Sequence, residues 1–191
     1  MKLGACLFLR RLNRHETDRL AVLCPMALFT VVHVLLSLAG IAAGFLVLGG
    51  LLKNREFGRS TAVFLAATLL TSVTGFFFPF HGFTPAIGLG IVSLIALAIA
   101  IYSRYVRSLA EAWRRVYVVA AVTALYFNVF VLVVQIFQKV PFLKALAPTQ
   151  TEAPFAVTQV AVLALFVVAG IRAARNFGVA RPAAAAARAP R

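Results

Sequence analysis

The stretch ALFTVVHVLLSLAGIAAGFLVLGGLL, residues 27–52, decides the fold of this chain. It contains no Asp, Glu, Lys or Arg. An α-helix rises about 1.5 Å per residue, so about 20 apolar residues cross a hydrocarbon core of about 30 Å. The stretch therefore predicts a transmembrane helix.

Further apolar stretches without a charged residue follow this one along the chain. With the first, they are residues 27–52, 61–80, 86–102, 116–137 and 155–171. The sequence therefore predicts an all-α integral membrane bundle of five transmembrane helices. We expect three regions: an N-terminal extension (1–25), the transmembrane domain (26–177) and a disordered, basic, Ala-rich tail (178–191).

The composition agrees with a membrane protein, because 62% of the residues are hydrophobic and only 13% are charged. A net charge of +14 would suggest nucleic-acid binding in a soluble protein. Here the basic residues lie between the apolar stretches, as the positive-inside rule expects. We therefore expect no nucleic-acid partner, and expect the lipid bilayer with its anionic surface to be the counterpart of this charge.

The basic residues also predict the topology. Five spans place the first loop, the third loop and the C-terminus on one side, with twelve Lys and Arg, against two in the other loops. This difference predicts a cytoplasmic C-terminus and an outer N-terminus. The preference for Arg over Lys and the many Ala suggest a bacterial protein, and hence its inner membrane.

Residues 1–25 disagree with this topology, because they carry five further Lys and Arg. One explanation is that the functional protein begins at Met26, directly before the first span. The other is that residues 1–25 form an amphipathic helix on the membrane surface.

Small residues on the first span predict close helix packing. Gly40 and Gly44 form a GxxxG pair on the same face as His33 and Ser37. The partner is either another helix of the same chain or a second copy in a homodimer.

Polar residues inside the predicted spans are the candidate functional residues, because polar groups in a membrane are costly and tend to be functional. In the five-span topology they converge near the outer leaflet. The candidate ligands for a cofactor are His33 and His81, and the candidate pocket residues are Asn128, Gln135 and Gln159.

Several functions fit such a pocket. Two histidines on neighbouring helices can ligate a haem b iron or hydrogen-bond a quinone. Alternatively His33 fixes helix register and His81 is a solvated turn residue. All five acidic residues lie outside the spans, which disfavours a proton relay, and no catalytic motif is present, so the sequence gives little support for an enzyme.

One stretch carries a resemblance. Residues 33–50, the basic loop with Gly58, and Leu70-Thr71-Ser72-Val73-Thr74-Gly75 resemble small uncharacterised bacterial multi-pass membrane proteins. The chain is also distantly similar to cytochrome b561-like bundles, and that resemblance implies haem and electron transfer. The chain lacks the second pair of deep histidines of that pattern.

The leading hypothesis from the sequence is a non-enzymatic inner-membrane protein, such as an accessory subunit of a larger complex. The first alternative is a haem- or quinone-binding redox protein that uses His33 and His81. The second alternative is a protein that binds or conducts a small molecule or lipid through the outer polar pocket.

Overall fold

The computed structural model describes residues 14–78, 85–110 and 112–178. Within these ranges the chain is helical and contains no β-strand, which confirms the all-α prediction. The helices are α1 (Arg14–Leu52), α2 (Gly58–Gly75), α3 (Pro85–Ile101), α4 (Trp113–Lys139), α5 (Pro141–Leu146) and α6 (Ala153–Asn176). A π-helical turn, Tyr102–Val106, continues α3.

The chain divides into two compact units between Leu35 and Leu36. The boundary falls within the sequence of α1, so the first unit contains His33 and the second contains the rest of the predicted site that the structure describes. Residues 1–13 and the tail beyond Gly178 lie outside the described residues, and so does His81.

Among the residues that the structure describes, four helical segments are long and apolar enough to cross a membrane, which is compatible with a membrane protein. They are Met26–Leu52, Ile87–Val106, Trp113–Lys139 and Ala153–Asn176. These segments correspond to the first, third, fourth and fifth stretches predicted from the sequence.

The predicted second span, residues 61–80, corresponds to α2 and is not among these four segments. The helix has only 18 residues, begins beside Arg59 and ends at Gly75. Its hydroxyl side chains lower its hydropathy further; they are Ser60, Thr61, Thr68, Thr71, Ser72 and Thr74. Length and composition alone therefore do not confirm the count of five spans.

Helix α4 supplies much of the buried surface of the second unit. Tyr117, Val118 and Leu125 of this helix are at most 1% exposed. They belong to one apolar cluster with residues of α1, α2, α3 and α6, among them Leu51, Phe64, Leu97, Ala100 and Ala173. In lipid such close packing, rather than exclusion from water, holds helices together.

Helices α2 and α3 run antiparallel. The Ser72 and Ser93 hydroxyls lie 3.4 Å apart. Phe76 lies in the turn that follows α2, and its ring packs against Gly90, near the start of α3. A Cβ added to Gly90 would lie 3.0 Å from the Phe76 ring. The end of α2 therefore lies beside the beginning of α3.

The connections that carry most of the described Lys and Arg residues meet at the opposite end of these helices. Arg104 lies 3.6 Å from the Glu56 carboxylate. Gly178 N donates to Asn54 Oδ1 at 2.8 Å, and Arg114 Nη1 donates to Gly178 O at 2.6 Å. We call this region the basic end; it comprises residues 53–59, 102–115 and 172–178.

Candidate functional site

Helix α2 is joined to three other helices by hydrogen bonds between polar side chains. Ser37 Oγ of α1 donates to Thr71 Oγ1 at 3.5 Å. The Ser72 hydroxyl pairs with that of Ser93 on α3. Asn128 Nδ2 of α4 donates to Thr68 Oγ1 at 3.0 Å, the shortest of the three distances. The polarity of α2 therefore serves contacts between helices.

Thr68 is fully buried and was not singled out by the sequence. The sequence does not reveal which residue a helical threonine bonds to, because the partner depends on how each helix is rotated about its axis. Gly40 of α1 lies against the same hydroxyl: a Cβ at Gly40 would be 3.2 Å from Thr68 Oγ1. The absence of a side chain there lets α1 approach α2.

Gly44 makes the second close contact of α1. A Cβ at this position would lie 2.5 Å from Leu125 Cδ1 and 3.0 Å from two ring carbons of Phe64. Gly40 and Gly44 are both buried. The close packing that the sequence allowed within the chain or in a homodimer is therefore within the chain at these two glycines.

Gln159 is the buried glutamine of the predicted pocket, with 8% of its surface exposed. Its Nε2 donates to the backbone oxygen of Phe130 at 3.2 Å, which joins α6 to α4. Its Oε1 is buried and has no hydrogen-bond partner within the described residues. This oxygen can accept a hydrogen bond from a small donor.

The other glutamines at this end differ from Gln159. Gln150 Nε2 donates to Val134 O at 3.2 Å, and Gln138 Nε2 donates to Gln150 Oε1 at 3.4 Å. Gln135, which was predicted to line the pocket, has an exposed side chain on α4. The pocket prediction therefore has different outcomes at its three amides: Asn128 bonds to α2, Gln159 bonds to α4, and Gln135 lies on the surface.

The described structure places only one of the two histidines of the predicted cofactor site, so their pairing stays a prediction. His33 is half-buried in the first unit, and His81 lies outside the described residues. Within the ranges that the structure describes, no group of three or more His, Cys, Asp or Glu side chains is placed to hold a metal ion.

A carboxylate organises the connection between α5 and α6. Glu152 Oε1 accepts hydrogen bonds from Thr149 N at 3.1 Å and Thr149 Oγ1 at 2.8 Å, and Oε2 accepts one from Thr151 N at 3.0 Å. Partial desolvation acts to raise the pKa of Glu152, but these hydrogen bonds outweigh it and hold the pKa below its usual value. The carboxylate therefore stays ionised near neutral pH.

At the basic end, aromatic and arginine side chains stack on one another. The Arg107 guanidinium lies 5.1 Å from the centroid of the Trp113 ring, and the Tyr102 ring meets Trp113 edge-on at 5.2 Å. This stacking could not be predicted from the sequence, because the π-helical turn changes the register of α3 at Tyr102.

Comparison of the chain with protein-family models, with curated proteins and with solved structures finds no match.

Proposed function

We propose that the chain crosses the bacterial inner membrane five times, with α2 as the second of the five spans. Eighteen residues of helix rise about 27 Å, close to the thickness of the hydrocarbon core. The hydroxyls of Thr68, Thr71 and Ser72 bond to other helices. A helix whose polar groups are satisfied in this way tolerates lipid surroundings despite its lower hydropathy.

The arrangement of the ends supports the same topology. The connections around Asn54 and Arg114 and the end of α6 meet at the basic end, whereas the turn after α2 lies beside the beginning of α3. An odd number of spans gives this arrangement. The positive-inside rule then puts the basic end and the C-terminus in the cytoplasm, and Met26 at the outer face.

We further propose a non-enzymatic, structural role as a subunit of a membrane assembly. The observation that carries this proposal is the use of Asn128, Thr68, Ser37 and Thr71 in hydrogen bonds between helices. Polar groups that bond to one another in this way specify how the helices pack. Their use in helix packing supports a structural role.

Helix α6 provides the surface for a partner subunit. Only 11% of its most apolar 18-residue stretch is buried within the chain. The exposed side includes Val157, Val160 and Leu165, each more than 60% exposed, and the small residue Ala164. A small residue allows the backbone of a second helix to approach closely.

The test uses native membranes and a tagged full-length chain. We expect the chain to migrate above its monomer mass on a native gel after mild detergent extraction. Ala164→Phe should reduce it to the monomer, whereas Ala98→Phe, which enlarges an exposed alanine of α3, should not. Monomeric migration of the unaltered chain would refute the accessory role.

The redox alternative has a separate test on the same purified protein. Haem bound through His33 and His81 would give a Soret band that shifts on reduction with dithionite and is lost in His33→Ala. A colourless, folded protein is the result that the structural role predicts.

A second candidate function is the binding of a small hydrogen-bond donor at the outer end. The observation that favours it is Gln159 Oε1, which is buried without a partner in the described part of the chain. Gln159→Leu should then abolish equilibrium binding of candidate alcohols and quinols. Circular dichroism should show that the helices of the variant are unchanged.

A further inference from the structure

The basic end carries more positive charge than its own acidic groups neutralise. By sequence it contains nine Lys and Arg but only two acidic residues, Glu56 and Glu111, and Glu111 lies outside the described residues. Glu56 pairs with Arg104, and Arg114 donates to Gly178 O. Within the described ranges, Arg107 has no carboxylate partner and no hydrogen-bond acceptor. Its side chain is exposed.

Arg107 nevertheless has a defined position. Its guanidinium lies over the Trp113 ring, and Tyr102 packs edge-on against that ring. A guanidinium that lies over an aromatic ring can keep N–H groups free to donate to a further partner. Such an edge matches two oxygens of a phosphate group.

The backbone around this cluster is constrained. Ser108 and Leu109, neither of them glycine, have φ angles of 48° and 55°, in the left-handed region. They follow the π-helical turn, and Leu109 N donates to Ser103 O at 3.1 Å. Both π-helical turns and left-handed non-glycine residues are concentrated at binding sites.

From these contacts we propose that Arg107 and Trp113 hold the headgroup phosphate of an anionic phospholipid, an inference that rests on the membrane placement proposed above. The cluster lies between the two apolar spans that end and begin at Val106 and Trp113, the level at which headgroups lie. Val106 is 64% exposed beside it and offers apolar surface to an acyl chain.

Charge selects an anionic lipid over a zwitterionic one. The headgroup of phosphatidylcholine would bring a quaternary ammonium to a surface with a large excess of Lys and Arg. Phosphatidylglycerol brings only the negative phosphate. One basic residue near a membrane surface favours an anionic lipid by about fivefold.

The experiment uses Trp113 as its own probe, because it is the only tryptophan of the chain. The full-length protein is reconstituted in vesicles that contain either phosphatidylglycerol or phosphatidylcholine with a short-range quencher near the glycerol backbone. The ratio of the two quenching curves gives the lipid preference at this site. We expect a preference for phosphatidylglycerol of about fivefold.

Two variants separate a site from the general attraction of a basic surface. Arg107→Gln should bring the ratio close to one, whereas Arg115→Gln removes the same charge from an exposed neighbour and should leave most of the preference. Equal quenching by both lipids in the unaltered protein, or equal losses in both variants, would overturn the proposal. Absence of quenching by either lipid would instead refute the membrane placement of Trp113.

Discussion

Gly44 and Gly49 lie on the same helix, but only Gly44 is closely packed against other helices. A Cβ at Gly44 would lie 2.5 Å from Leu125 Cδ1, whereas a Cβ at Gly49 would meet nothing within 4 Å. The two glycines share α1, but only Gly44 lies where α1 crosses α4 and Phe64 of α2. A stripe of small residues in a sequence does not distinguish the two cases.

Alanine at these positions should have opposite effects. We expect Gly44→Ala to lower the free energy of unfolding, because overpacking costs about 1–3 kcal/mol and helix propensity returns at most about 1 kcal/mol. Gly49→Ala should raise it by about 0.5–1 kcal/mol. Equilibrium unfolding in mixed micelles, followed by circular dichroism, measures both, and equal effects would contradict the contact of α1 with α4.

The hydrogen bond between Asn128 and Thr68 should contribute to stability. In bilayers such bonds contribute about 0.6 kcal/mol on average and at most about 1.7 kcal/mol. A double-mutant cycle of Asn128→Leu and Thr68→Val measures this coupling by unfolding in micelles. Thr158→Val is the control, because Thr158 donates only to Pro154 O of its own helix. A coupling energy of zero would show that α2 is not held to α4 through these side chains.

At the scale of elements, hydropathy predicted four helices well but described α2 less accurately. The predicted stretch ended at residue 80, but the helix ends at Gly75 and a turn begins at Phe76. Three phenylalanines after Gly75 kept the stretch apolar beyond the end of the helix. Hydropathy measures the apolar character of side chains, and it does not reveal where the backbone hydrogen bonding of a helix stops.

The connection before α6 should depend on pH through Glu152. Its folded pKa lies below its unfolded value, so the stability that the carboxylate supplies is present above the unfolded pKa and is lost as the pH falls through the folded pKa. Glu152→Gln should therefore speed hydrogen exchange at the amides of Thr149 and Thr151 near neutral pH, because both donate to the carboxylate.

The same comparison at acidic pH is the control. Below the folded pKa of Glu152 the native side chain is protonated, and its exchange rates should approach those of the Gln variant. A difference that persists unchanged across this range would mean that the carboxylate does not organise the connection.

At the scale of the whole molecule, loop charge predicted which connections share an end, and the described contacts agree. Asn54, Arg114 and Gly178 are joined by hydrogen bonds although they are far apart in sequence. The polar pocket could be predicted less well. Depth along each helix follows from counting residues, but the direction of a side chain depends on helix rotation, which separates exposed Gln135 from buried Gln159.

In the five-span topology, α2 crosses the membrane. The measurement that tests this crossing most directly is the sidedness of single cysteines, after Cys6 and Cys24 are replaced by serine. The probes are Arg55→Cys, Ala145→Cys and Arg175→Cys, all at exposed positions.

An impermeant maleimide added to intact cells whose outer membrane admits it should label only position 145. Positions 55 and 175 should react only after the inner membrane is opened. Labelling of positions 55 and 145 from the same side, or of positions 55 and 175 from opposite sides, would contradict the five-span topology.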